Sequence, residues 1–380
     1  IFTATEDATI MAEFEPQSRT VTFTPNDATY GSVSPASVTA DYGTSITFSN
    51  DYTIQSYKRQ LKNDSNAVGF ILILYFIVMF AVSFATILIP TIASILNGDI
   101  TSSTAEMAFL EDTTFIMVES GLVSLISFFG VAIIYSIIAK MNLGETYPTQ
   151  KLDFKLTTLL VSFGLSIAMI ANYVSNMTIG VFDMFGIDAN IDIEYPCDNA
   201  LEVLLFYVTV ALLPALVEEF AFRGVILKIM RKHSDSMAVM ISGVMFGLMH
   251  GNFTQIPFAL VVGLVLAFIT VKTNSLIPAI IIHFLNNGLS VTFTLLYSNT
   301  TLSEAEINII NVIVMIAISF AGIISFTVLS TKHKGFFKLF GANKIVPFKE
   351  KVLTFCSSPT IIIFTVISLL EAVVMLGIKV

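Results

Sequence analysis

Residues 203–230 read VLLFYVTVALLPALVEEFAFRGVILKIM, an apolar stretch long enough to cross a bilayer that nevertheless carries two adjacent glutamates and an arginine. The glutamates are Glu218 and Glu219, and Arg223 follows four residues after the second. A charged group in hydrocarbon costs ~2.5 to 3.5 kcal/mol on insertion scales, so charges in such a segment indicate a functional site.

Apolar segments of membrane-spanning length recur along the chain. Of its 380 residues, 55% are hydrophobic and 12% are charged. Runs of ~20 apolar residues continue from about Val68 to the C-terminus, which predicts an all-α multi-pass membrane protein surrounded by a lipid bilayer. Helices are expected at residues 66–96, 110–140, 156–178, 200–229, 235–251, 256–272, 276–298, 306–330 and 359–379. They make about nine passes, or about eight if the short pair around Gly251 is a re-entrant turn.

The charge distribution orients these helices and limits the partners. Lys and Arg collect in every second loop, for example at 58–62 and 332–351, whereas the loops between them are acidic or neutral. By the positive-inside rule the basic loops are cytoplasmic. Two of these loops hold His233 and His333, which we expect to be solvated. No basic patch with interleaved aromatic residues is present, so nucleic acid is not an expected partner.

The N-terminal segment, residues 1–57, differs in composition from the rest of the chain. Short runs of Val, Thr, Tyr and Phe alternate with Gly and Pro turns, which predicts a small all-β module. Residues 21–49, with GSVSP at 31–35 and YGT at 42–44, resemble the β repeats of bacterial surface proteins of the internalin B-repeat type. A generic β-rich linker is the alternative. The chain begins with Ile1 and shows no signal peptide, which predicts a fragment of a longer protein.

The spacing of the charged residues in the central stretch separates their roles. Positions i and i+4 of an α-helix share a face, so Glu219 and Arg223 can form an ion pair with the acid on the favourable N-terminal side. Glu218 is rotated by about 100° from its neighbour and stays unpaired in a poorly solvated place. A carboxylate tuned towards neutrality in this way suits a general base. The alternative is a purely structural salt-bridge cluster near the cytoplasmic end of the helix.

Two of the four histidines lie in apolar helices at a depth similar to that of the glutamates. At ~1.5 Å per residue from the nearest basic loops, Glu218, His250 and His283 lie on the order of 15 to 25 Å from the same membrane face. They can therefore meet in one plane. Asn287 follows His283 by four residues, which places an amide on the same face as the imidazole.

The helix that carries His250 also has glycines at four-residue spacing, Gly243, Gly247 and Gly251. This small-xxx-small pattern lets a neighbouring backbone approach closely. We expect the helix at 200–229 to be that neighbour, which would bring His250 towards the glutamate pair.

Three motifs, EExxxR at 218–223, FxxxH at 246–250 and HxxxN at 283–287, together resemble the CAAX prenyl endopeptidase and bacteriocin-processing family (CPBP, or Abi) of intramembrane proteases. All three occur in order within the helices from about 200 to 298. The resemblance implies a hydrolase of the bacterial cell membrane that cuts peptide bonds of membrane-associated peptide or protein substrates. It also implies a division of the chain into 1–57 (internalin-repeat-like module), 66–196 (N-terminal transmembrane helices), 197–300 (CPBP catalytic core) and 301–380 (C-terminal transmembrane helices).

The same resemblance assigns the candidate catalytic residues, Glu218, Glu219, Arg223, His250, His283 and Asn287. Glu218 and His250 would activate a water molecule, and His283 and Asn287 would bind that water or the developing oxyanion. This chemistry requires no cofactor. Zinc, held by Glu218, His250 and His283 with an open fourth position, is the alternative. Asn287 favours the metal-independent route, because an amide is a poor zinc ligand and a good oxyanion donor.

Two other classes of function are compatible with the sequence. One is a non-proteolytic membrane protein, either a bacteriocin self-immunity factor or a scaffold, in which the polar cluster is structural. The other is a proton-coupled transporter, in which Glu119, Glu218 and Glu371 would relay protons across the membrane. The sequence offers no internal repeat and no matching pair of broken helices, which speaks against a transporter.

Overall fold

The structure is a computed structural model that describes residues 51–97, 112–189, 197–339 and 346–378, together with short strands within residues 9–47. Over these residues the chain is almost entirely helical. The helices are α1 Asp51–Asn97, α2 Thr113–Ile138, α3 Leu143–Thr146, α4 Phe154–Met184, α5 Ala200–Arg231, α6 Asp235–Met249, α7 Gln255–Thr273, α8 Ile277–Asn299, α9 Glu304–Lys332, α10 Phe348–Cys356 and α11 Pro359–Val374.

Seven of the described helices are long and apolar enough to cross a membrane, and α10 with α11 adds an eighth if this bent pair is one span. The all-α multi-pass class is therefore confirmed, and up to eight spans among the described residues agree with the lower of the two expected numbers, about eight and about nine. Helix α6 has 15 residues, and its rise of about 22 Å falls short of the ~30 Å of hydrocarbon in a bilayer. Helices α10 and α11 meet at 70°, where the sequence predicted only one helix.

Helix α5 runs through the main core of the bundle. Its Phe222 is fully buried and packs against aromatic rings from three other helices. These are Tyr75 of α1, Phe128 of α2 and Phe246 of α6, with ring centres 5.1 to 6.4 Å from that of Phe222. Lipid tails are as apolar as the side chains, so there is no hydrophobic driving force between helices in a membrane. Close packing contacts of this kind therefore hold membrane helices together. Glu219 and Arg223 of α5 are consequently enclosed by protein.

Helices α6 and α7 form an antiparallel hairpin in close contact through small residues. A Cβ atom on Gly243 would lie 2.7 Å from the Leu264 side chain, and one on Gly247 would lie 2.9 Å from that of Leu260. Gly263 of α7 in turn faces the backbone of Gly243. The glycine spacing does permit close approach, as predicted. The neighbour on the glycine face is α7, however, and the expectation that it would be the 200–229 helix was wrong.

In the N-terminal segment the structure describes only β1 Thr9–Ile10, β2 Arg19–Thr22, β3 Ser37–Ala40 and β4 Ile46–Thr47. Strand β1 pairs antiparallel with β4, and β2 with β3. The remainder of the expected β module lies outside the described residues, so its fold and its internalin-type identity stay predictions. Helix α1 begins at Asp51, earlier than the expected residue 66. A further ladder joins β5 Ile187–Asp188, after α4, to β6 Gly377–Ile378, after α11.

Candidate active site

The two glutamates lie where α5 changes its hydrogen-bonding pattern. Residues 207–212 and 220–226 are π-helical, and Glu218 and Glu219 stand in the α-helical piece between them. In a π-helix the hydrogen bonds run from i to i+5, and such stretches occur frequently at functional sites. The directions in which these side chains point therefore differ from those of an ideal α-helix.

Arg223 and Glu219 form a fully buried ion pair. Nη1 of Arg223 donates a hydrogen bond to Oε1 of Glu219 at 2.8 Å, and both side chains are 0% exposed. Nη2 donates to the backbone carbonyl of Gly263 at 3.3 Å. The guanidinium carbon also lies 4.2 Å from the centre of the Phe246 ring, within the range of a cation–π contact. The arginine thus joins α5 to both α6 and α7.

Glu219 also holds the imidazole of His283. Nδ1 of His283 lies 2.9 Å from Oε1 of Glu219. Because a carboxylate only accepts hydrogen bonds, Nδ1 carries the hydrogen, and Nε2 is left for other partners. Nε2 lies 3.9 Å from Oε2 of Glu218, an atom that is buried and has no hydrogen-bond partner among the described residues. The two adjacent glutamates therefore face the two nitrogens of one imidazole.

His250 caps the C-terminal end of α6 and joins the cluster through Phe246. Its Nδ1 donates to the Phe246 carbonyl at 2.8 Å, which leaves Nε2 as the accepting nitrogen. The Phe246 ring lies edge-on to both histidines, with ring centres 4.9 Å from His250 and 5.9 Å from His283. Phe246 also packs against Arg223, so this side chain brings α5, α6 and α8 together at the site.

Asn287 makes its hydrogen bond to the backbone of α5. Its Nδ2 donates to the carbonyl of Val210 at 3.2 Å. Pro214 lies four residues after Val210 and has no N–H to offer that carbonyl, and the amide of Asn287 supplies a donor to it from α8. Its Oδ1 accepts from Nδ2 of Asn286 at 3.1 Å. Asn286 is itself buried, with an Oδ1 atom that lacks a partner among the described residues; the sequence analysis did not single it out.

The zinc alternative requires Glu218, His250 and His283 to hold one metal ion together. Among the residues that the structure describes, no three His, Cys, Asp or Glu side chains converge as metal ligands. The Nδ1 hydrogens of His283 and His250 are committed to Glu219 and to a backbone carbonyl. Metal-bound histidines commonly donate their other ring N–H in this way, so these bonds leave Nε2 of each imidazole as its available metal-binding atom. Glu218, His250 and His283 nevertheless do not form a metal-binding group in this arrangement.

Two further polar residues, Glu371 and His233, lie outside the candidate catalytic set. Glu371 of α11 packs against Gly251, the residue directly after His250, and its buried Oε2 has no hydrogen-bond partner among the described residues. His233 was expected to be solvated but is 2% exposed, with Nε2 2.9 Å from Oδ2 of Asp64. The early start of α1 explains the difference, because its first turns cover the loop after α5.

Comparisons with known proteins point to the same region of the chain. Residues 200–289 match the family model described as type II CAAX prenyl endopeptidase Rce1-like. The chain is also 34% identical over 104 residues to the membrane-embedded CAAX protease MroQ of Staphylococcus aureus (strain USA300). That alignment covers 26% of this chain and 42% of the relative, so the chain spans less than half the length of the relative it matches. No solved structure matches the chain at a significant level.

These matches show that residues 200–289 are similar to the CAAX prenyl endopeptidase domain. Together with the apolar helices, they place the chain among multi-pass bacterial membrane proteins. All the candidate catalytic residues, from Glu218 to Asn287, fall inside the matched residues.

Proposed function

We propose that this protein is an intramembrane endopeptidase that hydrolyses peptide bonds of membrane-associated peptides or proteins. The arrangement of Glu218 and Glu219 on opposite nitrogens of His283 carries the proposal. Arg223 offsets the charge of Glu219, so these two residues hold the imidazole in a fixed orientation. Glu218 remains as the carboxylate with an uncommitted oxygen at the site.

Glu218 is the general base for water in this proposal. Its Oε2 lies 3.9 Å from Nε2 of His283, too far for a direct hydrogen bond but bridged by a water oxygen about 2.8 Å from each atom. Glu218 takes a proton from this water as the water oxygen bonds to the carbonyl carbon of the scissile peptide. It then returns the proton to the amide nitrogen as the C–N bond breaks, which leaves a carboxylic acid and a free amine.

His250 and Asn287 have the remaining roles in this proposal, which are to accept a proton and to stabilise the developing negative charge. Nε2 of His250 is a second proton acceptor beside the cluster, because its Nδ1 hydrogen is committed to the backbone. The negative charge that develops on the carbonyl oxygen requires N–H donors. Asn287 has a second amide hydrogen besides the one it gives to Val210, and that hydrogen is the proposed oxyanion donor.

The test is cleavage by the full chain in lipid nanodiscs. Peptides with an apolar anchor, either a prenylated cysteine or a leader segment, are incubated with the protein, and products are identified by mass spectrometry. We expect Glu218→Gln and His283→Gln to lower the rate by ~10²-fold or more, the usual contribution of general acid–base groups. His333→Gln is the matched control, because His333 is an exposed histidine outside the site.

The same experiment separates the alternatives. A self-immunity factor or scaffold would bind these peptides without cleaving them, and Glu218→Gln would bind as the wild type does. A chelator that abolished cleavage would favour the metal route over water activated by glutamate alone. Full activity of Glu218→Gln would show that the assignment of the base is wrong.

A further inference from the structure

A second polar site lies in an apolar groove between α1 and α2, away from the proposed catalytic residues. The groove has a volume of about 520 Å³. It is lined almost entirely by hydrocarbon, and Thr86 and Glu119 provide its polar side chains. Pro90 of α1 and Leu122 and Ile126 of α2 are among the apolar residues that line it.

The carboxyl group of Glu119 is held in place by α1. Ser83 Oγ donates to Oε1 of Glu119 at 2.7 Å, and Thr86 Oγ1 lies within hydrogen-bond distance of the same oxygen at 3.3 Å. These two hydroxyl groups of α1 are the polar partners of Glu119. Because both hydroxyl groups contact Oε1, neither of them donates a hydrogen bond to Oε2 of Glu119.

The groove presents acceptors rather than donors. Pro90 has no N–H, so the carbonyl of Thr86, four residues earlier in α1, lacks its helical donor. The hydroxyl hydrogens of Ser83 and Thr86 are used on Glu119 or on the α1 backbone. A ligand that satisfies this site must therefore bring N–H or O–H donors, and a positive charge suits the carboxylate best.

The position of Glu119 along α2 indicates what such a ligand is. Glu119 lies six residues after Thr113, about 9 Å along the axis from the first residue of the helix. By the positive-inside rule this end of α2 faces away from the cytoplasm. The carboxylate is thus close to the depth of lipid headgroups. Leu122 and Ile126 continue the same face of α2 towards the membrane centre, where an acyl chain would lie.

We propose that this groove binds a membrane lipid whose headgroup carries a primary ammonium group. The ammonium group donates to Glu119 and to the Thr86 carbonyl, and one acyl chain follows Leu122 and Ile126. A quaternary headgroup such as choline has no N–H and cannot make these bonds. The proposal does not depend on protease activity.

The absence of tryptophan from the sequence makes a direct test simple. Leu122→Trp introduces a single fluorophore into the groove at an exposed position, and Ile126→Trp is a second reporter. The full chain is reconstituted in phosphatidylcholine vesicles. Increasing fractions of lipid with brominated chains, which quench tryptophan, are then added with either an ethanolamine or a choline headgroup.

We expect the ethanolamine lipid to quench the groove reporter at about 3- to 30-fold lower mole fraction than the choline lipid, the range that a hydrogen bond inside a membrane provides. Glu119→Gln should abolish the difference. The matched control is Phe320→Trp, which lies in a groove of about 290 Å³ between α4 and α9 without a carboxylate. There the two lipids should quench equally.

Three results would overturn the proposal. The two headgroups could quench both groove reporters equally, the preference could persist in Glu119→Gln, or the same preference could appear at Phe320→Trp. An additional arm of the experiment uses a brominated apolar helical peptide with one lysine. Quenching by this peptide, without any headgroup preference among the lipids, would identify the groove as a peptide site instead.

Discussion

Replacing Arg223 by methionine tests the central ion pair. In Arg223→Met, Glu219 remains as a buried carboxylate without its cation, in a place where its side chain is 0% exposed. Removing one partner of a buried ion pair costs ~3–5 kcal/mol of folding free energy, and we expect losses of this size for Arg223→Met and for Glu219→Met. The double variant replaces both charges by apolar groups and should recover most of the loss. It should stay ~1–3 kcal/mol below the wild type, because Nδ1 of His283 loses its acceptor.

Cys197 supplies the readout for this double-mutant cycle. The chain has one buried cysteine, Cys197, and one exposed cysteine, Cys356. In a Cys356→Ser background, alkylation of Cys197 by a thiol-reactive dye reports unfolding as SDS is added to the detergent-solubilised protein. The midpoints of the four chains give the coupling between the two charges.

Two results would contradict the predicted coupling between Arg223 and Glu219. Arg223→Met might lose less than ~1 kcal/mol, the value of an exposed pair. Alternatively, the double variant might lose as much as the two single variants together. A folded double variant also has a functional consequence, because His283 is then no longer held, and cleavage should stay low even where stability has returned.

Three further predictions concern other positions. Asn287→Ala should lower the cleavage rate by ~10²- to 10³-fold, the effect of losing one oxyanion donor, measured as kcat at saturating peptide. Gly247→Leu should crowd Leu260 and cost ~1–3 kcal/mol, seen as a lower SDS midpoint. Burial raises the pKa of the Cys197 thiol, so the folded protein holds less thiolate near neutral pH. In Cys356→Ser, alkylation should therefore be slower before unfolding than after it, and equal rates would contradict the burial.

The helices could be predicted because few backbone conformations are stable in lipid. A segment in hydrocarbon must satisfy its own N–H and C=O groups, so each apolar run of sufficient length becomes a helix. Every helix expected from the sequence is present. The start of α1 was missed because residues 51–65 are polar and carry no apolar run. The burial of His233 was missed for the same reason, since these residues cover it.

Within the site, helical periodicity correctly paired Glu219 with Arg223, since their spacing lies within a single helix. It did not reveal that Glu219 also binds His283, because that contact depends on how α5 and α8 pack. The partner of Asn287 had a signal in the sequence. Pro214 has no N–H to offer the carbonyl of Val210, but only packing shows that the amide of Asn287 lies within hydrogen-bond distance of that carbonyl.

The membrane-spanning class, the positions of the helices and the presence of charged residues in an apolar helix could all be read from the sequence. These properties follow from local composition and from spacing within one helix. Two features required the three-dimensional structure. Glu218 and Glu219 face opposite nitrogens of His283, and α7 packs against the glycine face of α6. Such contacts join residues far apart in the chain, and the π-helical stretches of α5 rotate its side chains away from the positions that a regular α-helix would give them.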